Sequence, residues 1–384
     1  MKTRHLKSWV GAVCLFANLA VHAQTSPINV VTSAVPFLRI SPDARAGGMG
    51  DLGVATSPDA NAQFYNIAKY PFATERSSLA LTYTPWLKDL GLTDVFLTTV
   101  AGYHKLDDQQ SISASMRYFS LGNIQFTDFL GNDLNTFRPR EFAVDAGYAR
   151  KLSDVLSLGV AIRYINSNLA GGAAVNGVSY KPGNSVAGDV GLYYDNKDQE
   201  GSGLSLGLAM TNLGAKIGYT DNALAKDFIP ANLTLGGVYT KAINEANRIS
   251  FGLDIHKLMV PTPPSLIDSA ALFNYRNKGV VGSWFSSFGD APGGFAEELR
   301  EYALSAGMEY TYNDQFAFRA GYFYEDKTKG NRQYLSMGAG IRYNVFGLNF
   351  SYLIPSGTGV NRNPLSNTIR FSIIFHFDGD NGND

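Results

Sequence analysis

From about residue 77 onward, apolar and non-apolar residues alternate with a period of two, the spacing that places successive side chains on opposite faces of a β-strand. Near the end of the chain Ile369, Phe371, Ile373, Phe375 and Phe377 share one face, and Arg370, Ser372 and His376 lie on the other. Leu335, Met337, Ala339, Ile341 and Tyr343 alternate with Ser336, Gly338, Gly340 and Arg342. Leu156, Leu158, Val160, Ile162 and Tyr164 alternate with Ser157, Gly159, Ala161 and Arg163, and Leu204, Leu206, Leu208 and Met210 with Ser205, Gly207, Ala209 and Thr211. A soluble sandwich would bury bulky residues on one face and expose polar ones on the other. Here the non-apolar face is rich in Gly, Ser and Ala with occasional Arg, which suits a crowded or watery lumen. The apolar face then meets lipid, and tyrosines such as Tyr118, Tyr148, Tyr164, Tyr310 and Tyr343 sit at the interfacial girdle.

The pattern predicts an all-β protein, a transmembrane antiparallel β-barrel of about fourteen strands. They fall near 77–85, 92–103, 110–119, 139–150, 155–167, 185–195, 202–212, 231–242, 247–258, 301–312, 315–324, 333–344, 345–354 and 367–377. Short turns at Lys105 to Gln109, Leu152 to Asp154, Asn244 to Ala246, Asn313-Asp314 and Asn344 alternate with longer connections, and an even count returns both barrel ends to the side of the short turns. The longest connection, Met259 to Arg300, contains Pro261, Pro263 and Pro264, several aromatic residues and a helix-like run starting at Phe295. Residues 24–76 lack the alternation and are expected to fold inward as a plug, because the walls of a barrel this wide cannot fill its interior. The barrel domain is 77–377, and 378–384 form a polar tail.

The N-terminus adds a compartment. Lys2, Arg4 and Lys7 precede the apolar stretch Ser8 to Ala20, and Val21-His22-Ala23 fits a cleavage site, so 1–23 read as a secretory signal cut before Gln24. Cys14 as a lipidation site would leave too short an apolar core after Lys7. It is the single cysteine, so a disulfide scaffold is excluded. With 32 Lys+Arg against 33 Asp+Glu the chain is not basic, and nucleic acid is not an expected ligand.

Two motifs look chemical. Gly48-Met49-Gly50-Asp51-Leu52-Gly53 spells GxGxxG, with Glu75 at a ribose-binding offset, but Pro42 and Pro58 replace the flanking strand and helix that a dinucleotide site needs. These glycines are expected to allow tight turns inside the plug. Gly203-Leu204-Ser205-Leu206-Gly207 matches the GxSxG nucleophile elbow, yet it continues a strand alternation instead of turning into a helix. His104, His256 and His376 are scattered, with no metal-ligand spacing. Arg117, Arg163, Arg319 and Arg342 fall on the lumenal face, where pairing with plug carboxylates such as Asp43 or Asp51 is the preferred reading over a selectivity role. No catalytic residue, metal or cofactor is expected.

Val35-Pro36-Phe37-Leu38-Arg39-Ile40, the run Asp43 to Asp51 and Gly53-Val54-Ala55-Thr56 resemble the N-terminus of the PorV family of the Bacteroidetes type IX secretion system. Asn66-Ile67-Ala68-Lys69 stands where FadL-like barrels commonly have Asn-Pro-Ala. The run from Ser287 to Leu299, Phe318-Arg319-Ala320-Gly321-Tyr322, Lys329-Gly330-Asn331-Arg332, Ser351-Tyr352 and the stretch Asn363 to Phe371 are similar to that family in particular. The resemblance implies a FadL-like barrel in the cell outer membrane that catalyses nothing, binds C-terminal domains of exported cargo, collects them from the SprA (Sov) translocon and delivers them to the PorU sortase. A partner outside the cell can reach only loops and the barrel mouth, which makes Phe129, Leu130, Phe137, Trp284, Phe285, Phe288 and Phe295 the candidate partner-binding residues. Transport of hydrophobic small molecules is the alternative, with lipid A deacylation through Ser205 third.

Overall fold

The computed structural model describes residues 29–88, 91–127, 130–171, 174–175, 178–221, 226–264, 269–354, 365 and 367–377. The expected signal, the polar tail, Phe129 and most of the Asn363 to Phe371 motif before Asn367 lie outside the described residues.

Fourteen strands close into one antiparallel barrel. They are β1 Ser77–Pro85, β2 Val95–Lys105, β3 Gln110–Leu121, β4 Arg140–Lys151, β5 Leu156–Asn168, β6 Gly183–Lys197, β7 Gly203–Gly214, β8 Asn232–Asn244, β9 Asn247–Leu258, β10 Tyr302–Tyr312, β11 Phe316–Tyr324, β12 Gln333–Tyr343, β13 Phe346–Ile354 and β14 Ile369–Phe377. Each strand pairs with its sequence neighbours, and β1 closes the cylinder on β14, Ser77 facing His104 on one side and Phe377 on the other. Closure leaves no unpaired edge in the wall, which is the condition for a sheet to sit in hydrocarbon. The expected segments are all present, with ends displaced by a few residues. β2 starts three residues later than expected, at Val95, and β6 outlasts the apolar alternation by two residues at each end, its Gly183 and Lys197 pairing with Ser167 and Gly203.

Burial follows the alternation. In β1, Leu79, Leu81 and Tyr83 point outward while Ser78, Ala80 and Thr82 are buried. Positive φ at Asn313, Asp314 and Asn344 makes the tight turns at one end, a conformation that Asn and Asp accept more readily than other non-glycine residues. No helix among the described residues is long and apolar enough to cross a membrane.

Residues 29–76 run through the lumen from the long-loop end to the short-turn end. At the first, the Asn29 amide donates to the Thr328 carbonyl (3.2 Å) and Ala34 to Phe228 (2.9 Å). At the second, the Tyr103 hydroxyl donates to the Glu75 carbonyl (3.2 Å) and Lys105 Nζ to Ala73 (3.1 Å). The segment has only short helical turns, so its backbone groups need other partners. Wall side chains supply them: Ser372 accepts from Ala44, Ser336 from Gly50, and Asp254 Oδ2 from both Gly53 and Val54. The GxGxxG run is where chain and wall come closest. Gly50 has φ +69, and a Cβ there would lie 2.7 Å from the Tyr322 backbone; a Cβ on Gly321 opposite would lie 2.0 Å from the carbonyl carbon of Met49. The glycines thus provide a left-handed turn and direct backbone contact with β11.

The expected pairing of wall arginines with Asp43 is corrected. Asp43 caps the short helix Ala44–Gly47, accepting from Arg45 and Ala46. Arg163 takes wall carboxylates, Asp145 and Asp189, and Arg319 takes Glu309. The ion pairs that do cross from wall to segment include Arg370 to Asp51 (2.8 Å), Arg342 to Glu75 (2.6 Å) and Glu309 to Arg45 (2.8 Å). Arg163 and Arg319 thus take carboxylates from neighbouring strands, whereas Arg342 pairs with the segment as expected, and sequence distance gives no hint of which does which.

Candidate functional site

The connection between β9 and β10 is the most elaborate structure at the long-loop end. Pro261, Pro263 and Pro264 prevent β9 from continuing as a paired strand, and the chain breaks into helices Ser269–Asn277, Val280–Ser286 and Phe295–Glu298. Its base is held by charge. Lys257 Nζ, at the end of β9 and 1% exposed, meets Glu298 (2.7 Å) and Glu301. Lys329, from the β11–β12 connection, meets Glu297 (2.6 Å) and Glu301 (2.9 Å), and the Thr262 hydroxyl donates to Glu301 (3.0 Å) and Asp290 (3.2 Å). Apolar contact adds to this: Val31, Phe228, Leu258 and Val260 form a cluster against which Tyr275 and Val280 pack. Lys216 Nζ donates to the carbonyls of Arg276 and Lys278 (2.8 Å each), satisfying groups at the end of the first helix.

One pair of this clamp, Lys329 with Glu297, has shifted pKa values. The hydrogen bond from Lys329 holds the Glu297 carboxyl below its ordinary value of 4.5, against partial burial. Burial opposes the charge on Lys329, but hydrogen bonds to Glu297 and Glu301 override it and raise its pKa above 10.5. A lowered carboxylate contributes stability above its ordinary value and loses it as pH falls through the folded value; a raised lysine loses its contribution only as pH rises through its own. The Lys329–Glu297 pair is therefore expected to hold from mildly acidic to alkaline pH and to loosen below pH 4.5. Limited proteolysis of residues 259–301 across a pH series, with an acid-active protease at the low end, checks this: cleavage should be flat near neutrality and rise only in acid.

What the clamp holds up is apolar and exposed. In the helix Val280–Ser286 and the turn after it, Ser283 and Ser287 face the protein, while Val281 (60% exposed), Phe285 (74%) and Phe288 (37%) fall on the opposite stripe. That is the reverse of a helix serving its own core, where the i, i+4, i+7 apolar stripe points inward. Phe295 (78%) and Leu299 (54%) extend the surface, Phe273 adds a further exposed ring on the first helix, and Trp284 is half-buried.

The structure thus places Trp284, Phe285, Phe288 and Phe295 in one connection. Leu130 and Phe137 belong to another, between β3 and β4, where the hairpin Ile124–Thr127 with Asp133–Phe137 projects from the barrel. Leu130 is exposed there. Phe137 is half-buried: a Cβ on Gly171 would lie 2.5 Å from its ring, so Phe137 packs on the β5–β6 connection. Sequence reasoning missed Val281, Phe273 and Leu299, and it missed the clamp residues Lys257, Glu298, Glu301 and Lys329. The spacing of Val281, Phe285 and Phe288 was the one available signal.

The tempting nucleophile Ser205 sits within β7, 1% exposed, with its hydroxyl donating to Asp195 (2.6 Å). No strand-to-helix turn presents it. The lumen also contains a cavity of about 130 Å³ in its upper half, lined by Arg39, Arg117, Asp254, His256, Glu325 and Arg332 among others.

A closed fourteen-strand barrel with an apolar outer face and its own N-terminal chain in the lumen defines an outer-membrane barrel of the FadL type. The fold is shared with the toluene transporter TbuX of Ralstonia pickettii (15% identity, TM-score 0.51, covering 87% of this chain and 98% of that one). It is shared too with a FadL homologue of Pseudomonas aeruginosa (14% identity, TM-score 0.50, covering 91% and 99%). At such identities the likeness is one of fold. No curated protein matches the chain. The family model described as type IX secretion system protein PorV matches residues 22–265, and the chain belongs to that family. It is an outer-membrane component of the type IX secretion system.

Proposed function

We propose that this barrel binds the C-terminal domains of proteins exported by the type IX system, receives them at the cell surface from the SprA (Sov) translocon and delivers them to the PorU sortase, without catalysing a reaction itself. The observation that carries the reading is the solvent-facing stripe of Val281, Phe285 and Phe288, continued by Phe295, on a connection clamped by buried ion pairs. An apolar surface held rigid at the exposed end of a membrane protein suits a protein partner, because little ordering entropy is lost on docking. In this reading the N-terminal segment acts as a plug and cargo stays on the outer surface.

Transport of hydrophobic small molecules fits less well. Such a site needs mostly apolar walls, whereas the lumenal cavity is lined by several arginines and carboxylates. Retention of a cargo C-terminal domain by the full-length barrel in detergent tests the proposal. Recovery with the C-terminal domain but not with a cargo lacking it is the expected result, and equal recovery of both, or of neither, would remove it.

A further inference from the structure

We propose that the lumenal cavity beside Arg117 is a binding site for a small organic carboxylate. This goes beyond the partner reading and does not depend on it.

Arg117 lies on β3, faces the lumen and is 3% exposed. A guanidinium this deeply buried loses several kcal/mol of hydration unless an anion compensates it. The other deeply buried wall arginines obey that rule: Arg163 meets Asp145 and Asp189, Arg319 meets Glu309, and Arg370 meets Asp51. Arg117 does not. Among the described residues no carboxylate lies within ion-pair distance of it. Its Nη1 donates to the Leu38 carbonyl (3.0 Å), its guanidinium carbon lies 4.6 Å from the centre of the Phe64 ring, and its Nε is buried with no partner. Asp254, which lines the same cavity, directs one oxygen to the amides of Gly53 and Val54 and does not pair with Arg117.

The space beside Arg117 has the size and walls for the missing anion. A cavity of 130 Å³ is close to one of about 150 Å³ that admits benzene, so the acid would have roughly a benzene's bulk. Leu38, Phe64 and Phe323 offer apolar contact to its carbon skeleton. Arg39 and Arg332, whose side chains keep 28% and 29% exposure, line the same cavity and both pair with Glu325; of the other carboxylates on its walls Asp51 is taken by Arg370 and Glu301 by Lys257, while Asp254 Oδ1 is buried without a partner. A guanidinium presents a planar fork of donors that matches a carboxylate in both charge and geometry. Because Leu38 to Pro42, Asp51 and Tyr65 form one wall and barrel strands the others, an acid bound here bridges the N-terminal segment to the barrel.

The test uses the full-length barrel in detergent, with butyrate and benzoate as probes and butyramide and benzamide as their uncharged counterparts. Ligand that binds only the folded form raises its unfolding temperature in step with concentration. Either acid should raise it in the wild type and its amide should not, and Arg117→Met, which keeps the bulk of the stem without the charge, should weaken the response at least tenfold. Arg117→Lys should retain part of it. An equal response to acid and amide, an equal response in Arg117→Met, or an equal response to sodium chloride at matched ionic strength would each overturn the proposal, as would no response to either acid. The acid-against-amide comparison needs only the wild type, so a poorly folding variant would not rescue the idea.

Discussion

Arg163→Ala is expected to destabilise the folded barrel by about 3–5 kcal/mol, the range seen when one partner of a buried ion pair is removed. Arg163 is 1% exposed and ties four consecutive strands together. From β5 it reaches Asp145 on β4, Asp189 on β6 (2.8 Å from Nη2) and Asn212 on β7. Removing it leaves two buried carboxylates on either side of an empty position, and their mutual repulsion and desolvation act in the same direction. Ser115 donates to Asp145 and the Asn212 amide to Asp189 (2.7 Å each), so neither carboxylate is free to turn away. The temperature at which the detergent-resistant folded band disappears on electrophoresis reads the effect. A triple variant with Arg163→Met, Asp145→Asn and Asp189→Asn should recover much of the loss, because it removes the charges together. An unchanged transition in Arg163→Ala would mean that water or another cation reaches the carboxylates, contrary to their burial.

The second large effect concerns binding. Phe285→Asp combined with Phe295→Asp should weaken retention of cargo C-terminal domains by about thirtyfold or more, the scale of roughly 2–4 kcal/mol typical of an interface hot spot. Both rings are mostly exposed, so a carboxylate in their place faces water in the free barrel and disturbs little. In a closed apolar contact it must be desolvated. Folding should be unaffected by the same electrophoretic criterion. Leu130→Asp, on the separate β3–β4 connection, is the comparison. If it abolished retention while the double variant bound normally, the docking surface would be that hairpin and not the clamped helix.

The strands were legible because alternation is a local property: a β-backbone throws successive side chains to opposite faces, whatever lies next to them. The tight turn at Asn313-Asp314 was legible for a similar reason, since a left-handed backbone favours particular residue types at particular places. The helix at Phe295 could also be read from its own residues. The stripe of Val281, Phe285 and Phe288 was visible as spacing, but spacing cannot say whether a stripe faces a core or solvent. That depends on Ser283 and Ser287 occupying the side against the barrel.

The chain by itself determined the barrel, its strand number, the ends carrying short and long connections, and a non-strand segment ahead of β1. Tertiary structure alone decided which charges meet. Asp51 reaches Arg370, Glu75 reaches Arg342, and Lys257 gathers Glu298 and Glu301, whereas Arg117 is left facing a cavity. The physical reason is closure. Rolling the sheet into a cylinder and threading the N-terminal segment through it brings together side chains from distant parts of the chain, and burial there turns a charge's nearest neighbour into the main determinant of its energy.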